Sequence, residues 1–148
     1  MTGPQMLIAE DDAELAQALS RRCASLGIHA VTAGDGLRAV TLAHELHPEL
    51  ICLDVNMPAG NGMAVCELLM SDPTFRETDF IVLTGDSNTE IVQRCHRYGA
   101  YFIPKCDEVW SRVEPLLREL LKEFVTAPDP PQDKDQASAT LDTSTPEL

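Results

Sequence analysis

The sequence has no apolar run approaching the roughly 20 residues needed to cross a bilayer. Its opening, MTGPQMLIAEDD, has no basic stretch followed by a long apolar core. No signal peptide is therefore read there, and the cytoplasm is the expected compartment. C-x-x-C pairs are missing as well: Cys23, Cys52, Cys66, Cys95 and Cys106 are scattered and odd in number. That argues against both a zinc site and a disulfide framework, and most of these thiols are expected in the core. Basic residues are scarce, 11 Lys and Arg against 24 Asp and Glu, for a net charge of −13. Such a balance disfavours any partner held by phosphate contacts, so neither nucleic acid nor a membrane surface is expected.

What is present suits one folded domain. The chain has 148 residues with an apolar fraction of 44%, which is ordinary for a globular protein. Residues 1–125 are read as that domain. From Thr126 the composition shifts to Pro, Asp, Ser and Thr, with five acids against Lys134, so −9 belongs to residues 1–125. A segment so poor in large apolar residues cannot offset its ordering entropy, and 126–148 is expected to be a disordered acidic tail.

The most informative stretch is LICLDVNMPAGNGM, from Leu50 to Met63. Leu50, Ile51, Cys52 and Leu53 form an unbroken apolar run, as in a parallel strand buried on both faces. The run stops on a carboxylate, Asp54. The chain then turns: Pro58 fixes one backbone angle, and Gly60, Asn61 and Gly62 tolerate positive φ. Asp54 should stand at the carboxyl end of a buried strand, the edge where open α/β sheets bind ligands.

The remaining elements follow the same rhythm. Met6 to Ala9 is a strand, followed by Glu10, Asp11 and Asp12 and a helix that Gly27 can end. Ile28 to Ala33 is a weaker strand. Asp35 can cap the next helix, which Pro48 closes. His44 and His47 could share a face of that helix, but at its end polar residues are common, and they are not read as a metal pair. A third helix runs from Met63 to about Met70. Phe80 to Leu83 is a strand ending on Thr84 and Gly85, with Asp86 next. Ser87 and Glu90 make a capping box for a helix through Tyr98, closed by Gly99. Tyr101 to Ile103 is a short strand leading to Pro104 and Lys105. The apolar face from Val109 to Phe124 is a last helix, in which Pro115 should produce a kink or a restart.

Five strands alternating with five helices imply a parallel sheet covered on both faces. Four strands would then deliver Glu10 with Asp11, Asp54, Thr84 and Lys105 to one edge. Carboxylates at 4 Å repel by about 4 kcal/mol per pair at an effective dielectric near 20, so such a cluster calls for a cation. An all-oxygen donor set suits Mg²⁺, which readily shares its shell with a phosphoryl group. Lys105 adds a positive charge, Thr84 a hydroxyl donor, and Gly85 leaves room. The set makes a pocket for a phosphoryl group beside a carboxylate nucleophile.

Glu10-Asp11, the L-D-V-N-M-P-x-G-N-G run around Asp54, Thr84-Gly85 and Lys105 together resemble the receiver domain of two-component response regulators. The resemblance spans about Met6 to Phe124. It implies a flavodoxin-like, doubly wound five-stranded sheet in the order 2-1-3-4-5, as in the chemotaxis regulators. It also implies that Asp54 takes a phosphoryl group from a sensor histidine kinase or a phosphotransfer protein. Glu10, Asp11, Asp54 and the backbone carbonyl of Asn56 would arrange Mg²⁺, for which Mn²⁺ can substitute. Thr84, Gly85 and Lys105 would bind phosphoryl oxygens, and Phe102 would be the switch aromatic that moves with Thr84.

No output domain is read after the receiver. Signalling is therefore expected through the face of helix four, strand five and helix five, toward an unidentified protein partner, with Tyr98, Arg94 and Trp110 as candidate contacts, Trp110 being read equally as a partly buried helix residue. Family members usually carry Pro after the lysine, commonly with a cis bond, whereas this chain has Cys106. Cis then costs roughly 2.5–4 kcal/mol, and Lys105–Cys106 is expected to be trans, with the ammonium still aimed at Asp54.

Two alternatives are weighed. A phosphohydrolase of the haloacid dehalogenase type also uses an Asp nucleophile, but after the first strand and with a second Asp two residues on, where this chain has Asn56. A phosphorylation-independent adaptor of the same fold would be expected to lack one of the acids, the Thr or the Lys, and all are retained.

Overall fold

The apolar runs that read as strands each lose their alternation for one reason: both faces of every central strand are covered. The structure, a computed structural model, describes residues 3–57, 62–85, 89–106 and 108–123. Among these, β1 (Gln5–Ala9), β2 (His29–Ala33), β3 (Leu50–Asp54), β4 (Asp79–Thr84) and β5 (Tyr101–Pro104) form one sheet. The helices between and after them are α1 (Ala13–Ser25), α2 (Gly36–Leu46), α3 (Gly62–Met70), α4 (Thr89–Tyr98) and α5 (Val109–Leu120). A 3₁₀ turn, Pro73–Phe75, that the sequence reading did not foresee precedes β4. Pro58, Gly60 and Asn61 of the expected loop, Asp86, Ser87 of the expected capping box, Phe124 and the tail lie outside the described residues.

The strand order is β2-β1-β3-β4-β5 and every pairing is parallel, as expected. Successive side chains divide between two cores. Met6, Ile8, Leu50, Cys52, Ile81 and Leu83 pack with α1 and α5 through Leu19, Cys23, Val113 and Leu117. Leu7, Ala9, Ile51, Leu53, Phe80 and Val82 pack on the other face with Leu42 and Ala43 of α2, Cys66 and Leu69 of α3, and Cys95 of α4. Cys23, Cys52, Cys66 and Cys95 are buried and Cys106 is exposed, so four thiols serve as small core residues. Burial pushes the Cys23 thiol up to about 12, which keeps it protonated and unreactive.

Local signals account for the helix ends. Asp12 caps α1, accepting from the amides of Glu14 (3.0 Å) and Leu15 (3.3 Å), and Gly27 follows that helix at φ 83. Asp35 caps α2 through the Arg38 amide at 2.8 Å. The α2 terminus is set by His47, in the left-handed region at φ 49, with Pro48 after it. Gly99 ends α4 at φ 76.

Of the two outcomes expected at Pro115, the restart is not found: the helix is continuous from Val109 to Leu120, and Pro115 lies on its exposed side. Val113 and Leu117, anchored in the core, and the Glu114–Arg118 pair at 3.0 Å hold the turns on either side of the missing amide. Gly62 is required for space and not for positive φ. A Cβ there would collide with the backbone of Val55 and with the carbonyl oxygen of Asp54. The small residue lets α3 start directly against the end of β3.

Candidate functional site

The register of the sheet decides which strand ends meet. Ala9 lies beside Leu53, Asp54 beside Leu83, and Thr84 beside Pro104. Each of Glu10, Asp54, Thr84 and Lys105 therefore sits at or just past the carboxyl end of its strand along one continuous edge. Glu10 and Asp54 are 2% and 1% exposed and Thr84 is fully buried, whereas Asp11 is exposed. Carboxylate oxygens of Glu10, Asp11 and Asp54 all lie within 4.8 Å of one another.

One lysine holds two of these acids. Lys105 Nζ donates to Asp54 Oδ2 at 2.9 Å and to Glu10 Oε2 at 3.1 Å. The expected aim of the ammonium at Asp54 is observed. Its bridging to Glu10 was not anticipated, since no strand pattern reveals how far a flexible stem reaches sideways. The described residues contain no cis peptide, the Lys105–Cys106 bond included. The expected new path of the following loop includes Asp107, outside the described residues.

The other oxygens are held more loosely. Asp54 Oδ1 accepts the Asn56 amide at 3.0 Å, and Glu10 Oε2 also accepts the Asp12 amide at 3.1 Å. Glu10 Oε1 lies 3.0 Å from Lys105 Nζ, an ion-pair distance, but it is buried without an aligned hydrogen-bond donor. Burial raises the Glu10 pKa, and the neighbouring Asp54 charge adds to this against the Asp12 amide and Lys105. For Lys105 burial disfavours the ammonium, but its hydrogen bonds to Asp54 and Glu10 outweigh that and raise its pKa.

This donor set fits a hard divalent cation. It consists of oxygen only, one buried oxygen lacks a donor, and the exposed side at Asp11 leaves room for water ligands. Lys105 supplies a single positive charge among three carboxylates, so the edge is left electronegative.

Asn56 and Gly85 also stand at this edge. The Asn56 side chain donates from Nδ2 to Thr84 Oγ1 at 3.2 Å, a contact the sequence did not announce. Gly85 is exposed, and a Cβ there would meet nothing within 4 Å among the described residues. Phe102, beside Val82 in the sheet, is half-buried against the α2–α3–α4 core. Among the candidate output contacts, Tyr98 is 39% exposed. Arg94 is engaged, 3.4 Å from Glu90 and 3.7 Å from Glu67 of α3. Trp110 packs with the α1–α5 core, and the Arg22 guanidinium of α1 lies 5.8 Å from its ring centre. This matches the reading of Trp110 as a partly buried helix residue, to which the α1 face offers apolar surface and a stacking cation.

His44 contacts Asp72 at 3.1 Å and the Val40 carbonyl at 3.0 Å, while His47 serves as the α2 cap. Among the described residues, no helix is long and apolar enough to cross a membrane.

Comparison with known proteins gives a consistent pattern. The response regulator receiver domain family matches residues 6–109. The DNA-binding response regulator MtrA of Mycobacterium tuberculosis is 34% identical over 85 residues, which is 57% of this chain and 36% of that protein. The chain thus spans about a third of the length of the curated relatives it matches. The non-phosphorylated HemR receiver domain of Leptospira biflexa superposes with a TM-score of 0.72 at 26% identity, covering 84% of this chain and 98% of that one. For the chemotaxis response regulator CheY4 of Vibrio cholerae the TM-score is 0.70 at 24% identity, over 79% of this chain and 98% of that one, a likeness of fold.

Proposed function

The chain belongs to the response regulator receiver domain family, and from that premise we propose that it is a phosphoacceptor whose nucleophile is Asp54. The observation that carries this reading is the buried Asp54 carboxylate, 2.9 Å from the Lys105 ammonium and clustered with Glu10 and Asp11.

One Asp54 oxygen attacks the phosphorus of a phosphohistidine on a sensor kinase or phosphotransfer protein. The P–O bond forms as the P–N bond breaks, and the imidazole nitrogen leaves with the electron pair. Lys105 neutralises charge on the transferred oxygens, and the Thr84 hydroxyl supplies a donor to one of them. The Asn56 amide, 3.0 Å from Oδ1, orients the nucleophile. Glu10, Asp11, Asp54 and the Asn56 carbonyl would hold Mg²⁺, or Mn²⁺ in its place, and that cation would offset charge on the Asp54 carboxylate and the transferred phosphoryl oxygens. The acyl phosphate then shifts Thr84 and Phe102, and the α4–β5–α5 face passes the signal to a protein partner in the cytoplasm. Residues 1–125 form the receiver in this reading and 126–148 an acidic tail.

A haloacid dehalogenase-like hydrolase does not suit this arrangement, because Asp54 ends the third strand and Asn56 stands where the second acid is needed. Incubation with acetyl phosphate or phosphoramidate and Mg²⁺, followed by intact-mass and peptide mapping, tests the proposal. One phosphoryl group should appear on Asp54 and depend on the divalent cation. Equal labelling of Asp54→Ala and the parent overturns the assignment, and no labelling of either favours a phosphorylation-independent adaptor.

A further inference from the structure

Asn56 is bound to two parts of the site at once. Its backbone amide donates to Asp54 Oδ1 at 3.0 Å, and its side-chain amide donates to Thr84 Oγ1 at 3.2 Å. Thr84 is fully buried at the end of β4, whereas Asn56 lies at the exposed mouth of the site. We propose that the Asn56 side chain is a latch that holds the Thr84 hydroxyl in its resting position and so sets how readily the domain switches. This deepens the phosphoacceptor reading and rests on it.

The physical argument concerns tethering. A phosphoryl group on Asp54 draws the Thr84 hydroxyl toward its oxygens as a donor. Asn56 cannot follow, because its own backbone is tied to Asp54 by the 3.0 Å amide contact and continues directly from β3. The Asn56–Thr84 contact therefore belongs to the resting arrangement and is given up on switching. An interaction present in only one of two states biases the equilibrium by its full net value. At 3.2 Å the bond is at the long end of the normal range, suited to a restraint that a phosphoryl group can overcome. The residue acts through Thr84 and is a positioning residue.

The test uses the intact, unphosphorylated protein and beryllofluoride as a phosphoryl mimic. NMR follows the Thr84 methyl and the Phe102 ring. In Asn56→Ala without mimic, both signals should move part of the way toward their beryllofluoride-bound positions. The mimic should bind about three- to ten-fold more tightly, the effect of removing one net hydrogen bond from the resting state. Asn56→Gln, which keeps an amide donor on a longer stem, should restore part of the resting positions. In a Thr84→Val background, Asn56→Ala should move Phe102 no further.

Signals that stay at the parental positions in Asn56→Ala, with unchanged mimic affinity, overturn the latch and leave the phosphoacceptor reading intact. An equal Phe102 shift in the Thr84→Val background also overturns it. If the parent protein does not bind the mimic at all, the phosphoacceptor reading falls and the latch falls with it.

Discussion

Two acid–cation contacts of nearly equal length stand at opposite edges of the sheet. At the carboxyl edge, Lys105 and Asp54 are 2.9 Å apart. At the amino edge, where α2 ends and the chain approaches β4, His44 and Asp72 are 3.1 Å apart. Their surroundings differ. The Asp54 side chain is 2% exposed and that of Glu10 1%, whereas those of His44 and Asp72 are 47% and 29% exposed. Distance alone would rank the two contacts together. Burial separates them: an exposed pair contributes about 0–1 kcal/mol, while breaking a buried pair leaves a charge without solvent or partner. The amino-edge pair is a surface tie, and the carboxyl-edge pair holds a buried acidic cluster in check.

The sharpest way to break this contrast is to remove the cation at each edge. Lys105→Ala should cost about 2–4 kcal/mol in cation-free urea denaturation, because Asp54 and Glu10 are left buried and unpaired. A loss no larger than that of His44→Ala would make the two contacts equivalent and refute the comparison.

Adding the cation back gives the next effect. Free Mg²⁺ at 100 times its dissociation constant should stabilise the parent by about 2.7 kcal/mol, and Asp54→Asn by less. Without Mg²⁺, Asp54→Asn should raise stability by roughly 1 kcal/mol, since the repulsion of Asp54 with Glu10 and Asp11 is removed while Lys105 keeps Glu10 as a partner. Equal Mg²⁺ responses in the two proteins would show that Asp54 is not a metal neighbour.

The edges also use glycine differently. Gly62→Ala, forced against the Val55 backbone at the site, should cost about 1–3 kcal/mol and perturb the Asp54 region. At the amino edge a Cβ on Gly27 meets nothing within 4 Å, but φ is 83, so Gly27→Ala should cost about 1 kcal/mol through backbone strain alone. Thermal denaturation ranks the two, and a larger loss for Gly27→Ala would reverse the order.

The smallest effect is the pH response of the surface pair. The His44 pKa is raised, first by the Val40 carbonyl and then by Asp72, above its ordinary 6.5. Its stabilisation is complete below pH 6.5 and is lost as pH rises through the elevated value. The Asp72 pKa is lowered from 3.8, first by the Thr74 amide, so its share is present above pH 3.8 and is lost as pH falls through the lowered value. The pair should therefore act most fully between these two pH values. His44→Ala should flatten the small fall in melting temperature between about pH 5.5 and about pH 8. Glu10 has the same sign as His44 by another route: its pKa, raised by burial, makes its stabilisation complete below 4.5 and lost as pH rises through the elevated value. An unchanged slope in His44→Ala would show that His44 does not carry the effect.

Most of the architecture could be read from local signals, because each signal acts over a few residues. Unbroken apolar runs at Leu50–Leu53 and Phe80–Leu83 mark strands covered on both faces, and Asp12, Asp35 and Gly99 mark helix ends through their own backbone chemistry. The parallel order brings the residues after these runs to one edge, which is why Glu10, Asp11, Asp54, Thr84 and Lys105 could be named together before any coordinates. What the chain alone left open were choices between partners distant in sequence. Lys105 bridges Glu10 as well as Asp54, and Asn56 bonds Thr84, 28 positions away. Trp110 turns to Arg22 of α1, and His44 is drawn to Asp72 on a turn that no pattern predicted. Gly62 is needed because a helix starts directly against a strand, an approach no φ preference reveals. Backbone direction is written in local propensity and apolar period. The reach of a flexible side chain, and which of several acids it meets, depends on where packed elements leave it space.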